Sequence, residues 1–153
     1  MTVDQRLAEL GIELPEPARP VASYLPVVIS GSFAYVSGQV PLDGGRPLWT
    51  GKLGGQLGPD DGVVAARRCA LQVLAALREE FGTLDPVEHV VKLTVFVASA
   101  EGFIDQPKVA NGASDLLAEV FGDAGRHARS AIGVAELPLG VPVEVEAIVQ
   151  IAT

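Results

Sequence analysis

From Pro59 to Phe81 apolar residues recur at helical spacing: Val63, Ala66, Ala70, Val73, Leu74, Leu77 and Phe81 share one face. Pro59 suits a first helical turn, Asp60 and Asp61 complement the positive end of the helix dipole, and Gly82 is a natural stop. The pattern returns over 106–121, with Val109, Leu116, Leu117 and Val120 inward and Gly122 at the end. Near the C-terminus the period changes. In VEVEAIVQIA, Val143, Val145, Ala147, Val149 and Ile151 alternate with Glu144, Glu146, Ile148 and Gln150, as on a strand with one buried face. SYLPVVIS and FAYVSGQV read as two strands around a tight Gly31-Ser32 turn, with Gly38 marking a bulge or a close backbone approach. HVVKLTVFVAS reads as a well-buried strand, and ARSAIGVAEL as a strand ending near Pro138.

The remaining segments are less regular. Residues 4–10 predict a short helix capped by Asp4 and ended by Gly11. LPEPARP is a proline-rich arm. PLDGGRPLWTGKLGGQLG, residues 41–58, is a long glycine-rich loop with few core residues and a brief extended piece near Leu48-Trp49-Thr50. The order is short helix, β, β, loop, α, β, α, β, β. This predicts an α+β fold in which both long helices cover one face of a single mixed sheet. The other face, carrying Glu144, Glu146 and Gln150, is a candidate subunit contact. The chain reads as one domain over 1–153, with residues 1–20 as an N-terminal helix-and-arm extension.

Composition narrows the function. The chain is 48% hydrophobic and its mean hydropathy is +0.34, high for a soluble monomer, so a second copy is expected to cover part of the apolar surface. A net charge of -8 disfavours binding to phosphate backbones, so no nucleic-acid partner is expected. No run approaches ~18 uninterrupted apolar residues, and the N-terminus has no signal-peptide pattern. No membrane partner is therefore expected, and the cytoplasm is the expected compartment. Cys69 is the single cysteine and fits a buried helical thiol. His89 and His127 match no metal-ligand spacing, and no metal is expected.

The candidate chemistry lies in GRHARSAIGVAELPLGVPVEVEAIVQI, residues 125–151. Arg126, His127 and Arg129 form a local positive site in an acidic chain, followed by a strand bearing Glu144 and Glu146. A guanidinium presents a planar fork that matches a carboxylate, so Arg129 either holds a small carboxylate ligand or pairs with one of these glutamates. Glu144 and Glu146 share a face, and spacing alone does not choose between them. His127 alternates with Arg129 and either faces the same cleft or lies on the surface. Arg126 fits a solvated or inter-subunit charge, and Trp49 either covers a neighbour's cleft or fills a gap between subunits. Tyr24 is either a cleft residue or an interface aromatic. Ser37 is either a cleft residue or a strand hydroxyl bonded to backbone. A Ser-His-acid hydrolase triad is not read here, because the nucleophile-elbow context is missing.

YVSGQVPL, the strand-helix-strand middle and ARSAIGVAELPLGVPVEVEAI resemble the YjgF family, also called Rid for reactive intermediate deaminases and earlier endoribonuclease L-PSP. The similarity runs from Tyr24 onward. It implies a chorismate-mutase-like fold and a homotrimer with a barrel-like core and clefts at the subunit interfaces. It implies hydrolysis of 2-enamino and 2-imino acids to 2-keto acids and ammonia, with no metal or organic cofactor. Carried over, the carboxylate-binding arginine is Arg129 and the water-activating glutamate is Glu144. The ligand-side tyrosine is Tyr24, the Ser-Gly beside the cleft is Ser37-Gly38, and the helix asparagine is Asn111. The family's cysteine position holds Ala131, whose backbone N–H remains available to a ligand. The N-terminal extension, the GKLGGQLG loop and HARSAIG resemble a longer branch of the family. The alternatives to a deaminase are a non-catalytic 2-keto acid binding protein and, with less support, a ribonuclease or translation inhibitor.

Overall fold

A computed structural model describes all residues, 1–153. The elements are α1 (Val3–Glu9), β1 (Val27–Ser30), β2 (Phe33–Gln39), β3 (Leu42–Asp43), β4 (Arg46–Pro47), α2 (Pro59–Phe81), β5 (Val87–Ala98), α3 (Gln106–Phe121), β6 (Ala128–Val134) and β7 (Val143–Ile151). Short 3-10 turns follow α3 and precede β7. Five strands form one mixed sheet in the order β1-β2-β7-β5-β6. Only β5 and β6 run parallel; the other neighbours are antiparallel.

Helices α2 and α3 pack on one face of this sheet. The inward faces of both helices and of β7 close a core of 30 buried residues, in which Leu74, Leu77, Leu93, Leu116 and Leu117 are at most 1% exposed. Apolar area withdrawn from water is the main source of stability in such a layer. The helices approach closely at Gly112, where a side-chain carbon would run into the Val63 carbonyl. The alternation in β7 holds throughout: Val143, Val145, Ala147, Val149 and Ile151 are buried, and Glu146 is exposed on the opposite face.

Three expectations need correction. Helix α1 is capped by Thr2, not Asp4; Thr2 and Gln5 exchange hydrogen bonds in a capping box. Asp4 instead accepts a hydrogen bond from the Thr83 hydroxyl at 3.0 Å, and Asp85 accepts one from the Val3 amide, so α1 is tied to the loop after α2. The extended piece of the 41–58 loop lies earlier than Leu48-Trp49-Thr50. It is a small hairpin, β3-β4, folded over Gly44 and Gly45, which both have positive φ. That loop also carries a core residue: Leu53 is fully buried and its backbone bridges to Ser99. Finally, β6 ends at Val134, short of Pro138.

Candidate active site

The face of the sheet away from the helices stays open. Val28, Phe33, Tyr35 and Ile132 are 38–48% exposed there. A depression of about 260 Å³ on this face is lined by Tyr35, Ser37, Lys92, Thr94, Glu146 and Ile148. No helix is long and apolar enough to cross a membrane.

The predicted site residues fall into two groups. The first lies where the N-terminal end of β6 meets α3. Arg129 pairs in register with the buried Leu93 and so projects to the helix side of the sheet. Its NH1 group donates to Asn111 Oδ1 at 2.8 Å and to Ser114 Oγ at 3.1 Å. Asn111 and Ser114 are three residues apart on α3 and therefore share a face. His127, just before β6, reaches the same serine: its Nε2 lies 2.9 Å from Ser114 Oγ, and its Nδ1 lies 2.6 Å from the Gly125 carbonyl. Burial, with the positive charge of Arg129 adding to it, lowers the His127 pKa against the opposing pull of the Gly125 carbonyl. Ala131 sits one alternation further along β6, packed against the core. Because β6 is the sheet edge, alternate backbone groups along it face outward. Arg126 is exposed.

The second group surrounds the bulge in β2. Pairing between β2 and β7 slips between Val36 and Gln39. At that point Gly38 lies against the Glu144 carboxylate, where any side-chain carbon would collide with Glu144 Oε1. Glycine is thus required for the glutamate to lie over the strand. Glu144 sits across from Phe96 on the open face. Burial raises its pKa, and the nearby Glu146 raises it further. Ser37 donates its hydroxyl to the Leu25 carbonyl at 2.6 Å, while its amide bonds to the Pro26 carbonyl at 2.9 Å. These bonds fix the segment behind Tyr24, whose side chain is half exposed. The plain structural reading of Ser37 is therefore present in the fold.

Within one chain the two groups do not meet. Arg129 does not pair with Glu144 or Glu146; it is held by amide and hydroxyl oxygens instead. Strands β6 and β7 flank β5, so about 10 Å separates them across the sheet. The two side chains also leave from opposite faces. Ser114 is the one member the sequence reading missed. Its spacing of three from Asn111 on a helix was the available signal. Cys69, fully buried, donates weakly to the Val143 carbonyl, and burial pushes its thiol pKa well up. No cluster of metal-ligating side chains is present.

Comparison with known proteins identifies relatives of this fold. The family model described as "YjgF/chorismate_mutase-like, putative endoribonuclease" matches residues 4–148. Protein TCP17 of Trypanosoma cruzi is 49% identical over 150 residues, covering 97% of this chain and 94% of the relative. A solved protein of unknown function from Agrobacterium tumefaciens superposes with a TM-score of 0.90 at 42% identity, covering 99% of this chain and 94% of that one. A "putative endoribonuclease" from Shewanella oneidensis superposes with a TM-score of 0.94 at 34% identity, covering 99% and 100%.

Proposed function

Because the chain belongs to the YjgF/chorismate-mutase-like family, we propose that it is a homotrimeric hydrolase of small 2-imino or 2-enamino acids. In this reading the products are a 2-keto acid and ammonia, and the site forms where one copy's β6 edge meets another copy's β2-β7 bulge. One observation carries it: a half-buried arginine with unfilled donors and a carboxyl of raised proton affinity are both built, yet separated within the single chain. The exposed apolar residues on the open sheet face support association through that face.

The chemistry follows from the groups. Arg129 holds the substrate carboxylate through a two-point contact, which orients the adjacent C=N carbon. The backbone N–H of Ala131 and the Ser37-Gly38 backbone line the cleft, and Tyr24 covers the bound chain. Glu144 takes a proton from water as the water oxygen bonds to the imine carbon. It then returns that proton to nitrogen; as the C–N bond breaks and ammonia leaves, the hydroxyl oxygen forms the C=O bond of the 2-keto acid and gives its remaining proton back to Glu144, which releases it to water. A carboxyl with a raised pKa suits this alternation better than one ionised at all working pH. Water and one carboxyl account for every bond and proton in this hydrolysis, which is redox-neutral and calls for no organic cofactor. Cytoplasmic residence is part of the same proposal, since reactive imines arise where amino acids are metabolised.

The test is hydrolysis of imines generated in situ by an amino-acid oxidase, with several side-chain sizes. Ammonia release that rises with protein concentration and collapses in Arg129→Ala supports the reading; no acceleration with any imine sinks it. A second reading, 2-keto acid binding without turnover, is favoured by the Arg129 group being fully organised without Glu144. Stabilisation by 2-oxobutyrate with no imine hydrolysis would select it. Ribonuclease activity, named for some relatives, is opposed by the net charge of -8.

A further inference from the structure

Ser114 and His127 make a connected set with Arg129 whose proton positions can be worked out. The Gly125 carbonyl can only accept, so the 2.6 Å contact places the proton of neutral His127 on Nδ1. Nε2 is then an acceptor, and the Ser114 hydroxyl donates to it across 2.9 Å. With its proton committed there, Ser114 Oγ presents lone pairs to Arg129 NH1 at 3.1 Å. Asn111 Oδ1 takes the other NH1 proton at 2.8 Å. A guanidinium has five N–H donors, and both on NH1 are now used. The Nε–H and the two NH2 protons remain; Nε–H and the NH2 proton beside it form one edge of the fork, which meets a carboxylate with two parallel bonds.

We propose that Ser114 and His127 are positioning residues that lock the NH1 side of Arg129, leaving its Nε–NH2 edge to receive the substrate carboxylate. This rests on the carboxylate-binding role given to Arg129 above. The lock runs in one direction from a fixed backbone carbonyl: Gly125 sets the His127 tautomer, His127 sets the Ser114 hydroxyl, and Ser114 sets the guanidinium. Gly125 is itself buried and lies so close to α3 that a side-chain carbon there would run into the Leu117 carbonyl. The carbonyl at the head of the chain is therefore anchored to α3, the same helix that carries Asn111 and Ser114. An isolated arginine on an edge strand would sample many rotamers, and fixing it beforehand removes part of the ordering penalty of binding.

The test has a ligand-independent arm and a ligand arm. In the first, nitrogen NMR reads the His127 tautomer and the rotation of the Arg129 guanidinium in the labelled full chain. The protein has two histidines, so His89→Gln assigns the spectrum. Wild type is expected to carry the proton on Nδ1 and to show slowed guanidinium rotation. Ser114→Ala and His127→Ala should each speed that rotation. A proton on Nε2, or rotation indifferent to both substitutions, overturns the proposal. In the second arm 2-oxobutyrate is titrated. Ser114→Ala should weaken binding roughly tenfold, Ser114→Thr should restore it, and Ser114→Ala/His127→Ala should be no worse than either single change. Additive losses, or unchanged affinity in both singles, overturn the proposal. Slowed rotation that responds to Ser114→Ala in a wild type that does not bind 2-oxobutyrate upholds the lock and refutes the ligand reading instead.

Discussion

The arginine group and the glutamate group are built on opposite principles. Arg129 is surrounded by oxygen atoms on α3, and both protons on one of its nitrogens are taken up within the chain. Glu144 has no such partners; desolvation and the neighbouring Glu146 act on it without a compensating donor, and Gly38 leaves it room over the strand. One group is finished by its own fold and the other is left wanting. A binding cation must be aimed before the ligand arrives, because reorganising it afterwards weakens the contact. A proton-transfer group must instead keep its carboxyl free and its pKa near the working range. The difference between the two halves is the one that a binder and an acid-base would require.

Substitutions can break this comparison from either side. Glu144→Gln should have the largest effect, lowering kcat for imine hydrolysis by about 10² to 10⁴-fold with KM little changed, as expected for loss of a general acid-base. Steady-state kinetics would show an equal rise in KM if Glu144 only bound ligand. Arg129→Ala should lower kcat/KM by roughly 100-fold, mostly through KM, because a charge-assisted bidentate contact is lost. Gly38→Ala should come next. It pushes the Glu144 carboxylate off its place, so kcat should fall by about tenfold or more while the thermal midpoint moves only a few degrees. A fully active Gly38→Ala protein would mean that the glutamate's position is unimportant.

The smallest predicted effect is on the pH dependence of stability. His127 has a lowered pKa in the folded chain, so the unfolded chain binds the proton more readily. Stability should therefore fall as pH drops through 6.5 toward the folded value, and His127→Gln should flatten that slope. Glu144 works in the opposite sense. Its raised pKa makes the folded chain the better proton binder above 4.5, so its contribution is lost as pH rises through the folded value. Glu144→Gln should remove that loss. Chemical denaturation of wild type and both variants across pH 4 to 8 separates the two, since removing each group changes the slope in the opposite direction.

Much of the fold could be read from periodicity, because burial enforces it. The limits of α2 and α3 and the inward face of β7 follow from apolar spacing bounded by Pro59, Gly82 and Gly122. Thr2 is legible too, since Thr2-Val3-Asp4-Gln5 is a capping-box pattern, but Asp4 beside it is a competing cap by residue type. The hairpin over Gly44-Gly45 was hidden inside a loop whose strands are only two residues long. The site divides similarly. Arg129, Glu144 and Gly38 stand out through their motifs. Their separation does not, because it depends on β5 lying between β6 and β7, which is a matter of strand order rather than spacing. Ser114 is an ordinary helical serine until His127 is seen beside it.

The most direct test of a site shared between copies is subunit complementation. Arg129→Ala and Glu144→Gln chains, each strongly impaired alone, would be unfolded, mixed in equal amounts and refolded together, and imine hydrolysis measured at substrate well below KM. In a closed ring about one quarter of the interfaces should pair an intact Arg129 with an intact Glu144, so about one quarter of wild-type activity should return. A mixture that co-assembles and stays as impaired as its parents would contradict a site built from two copies.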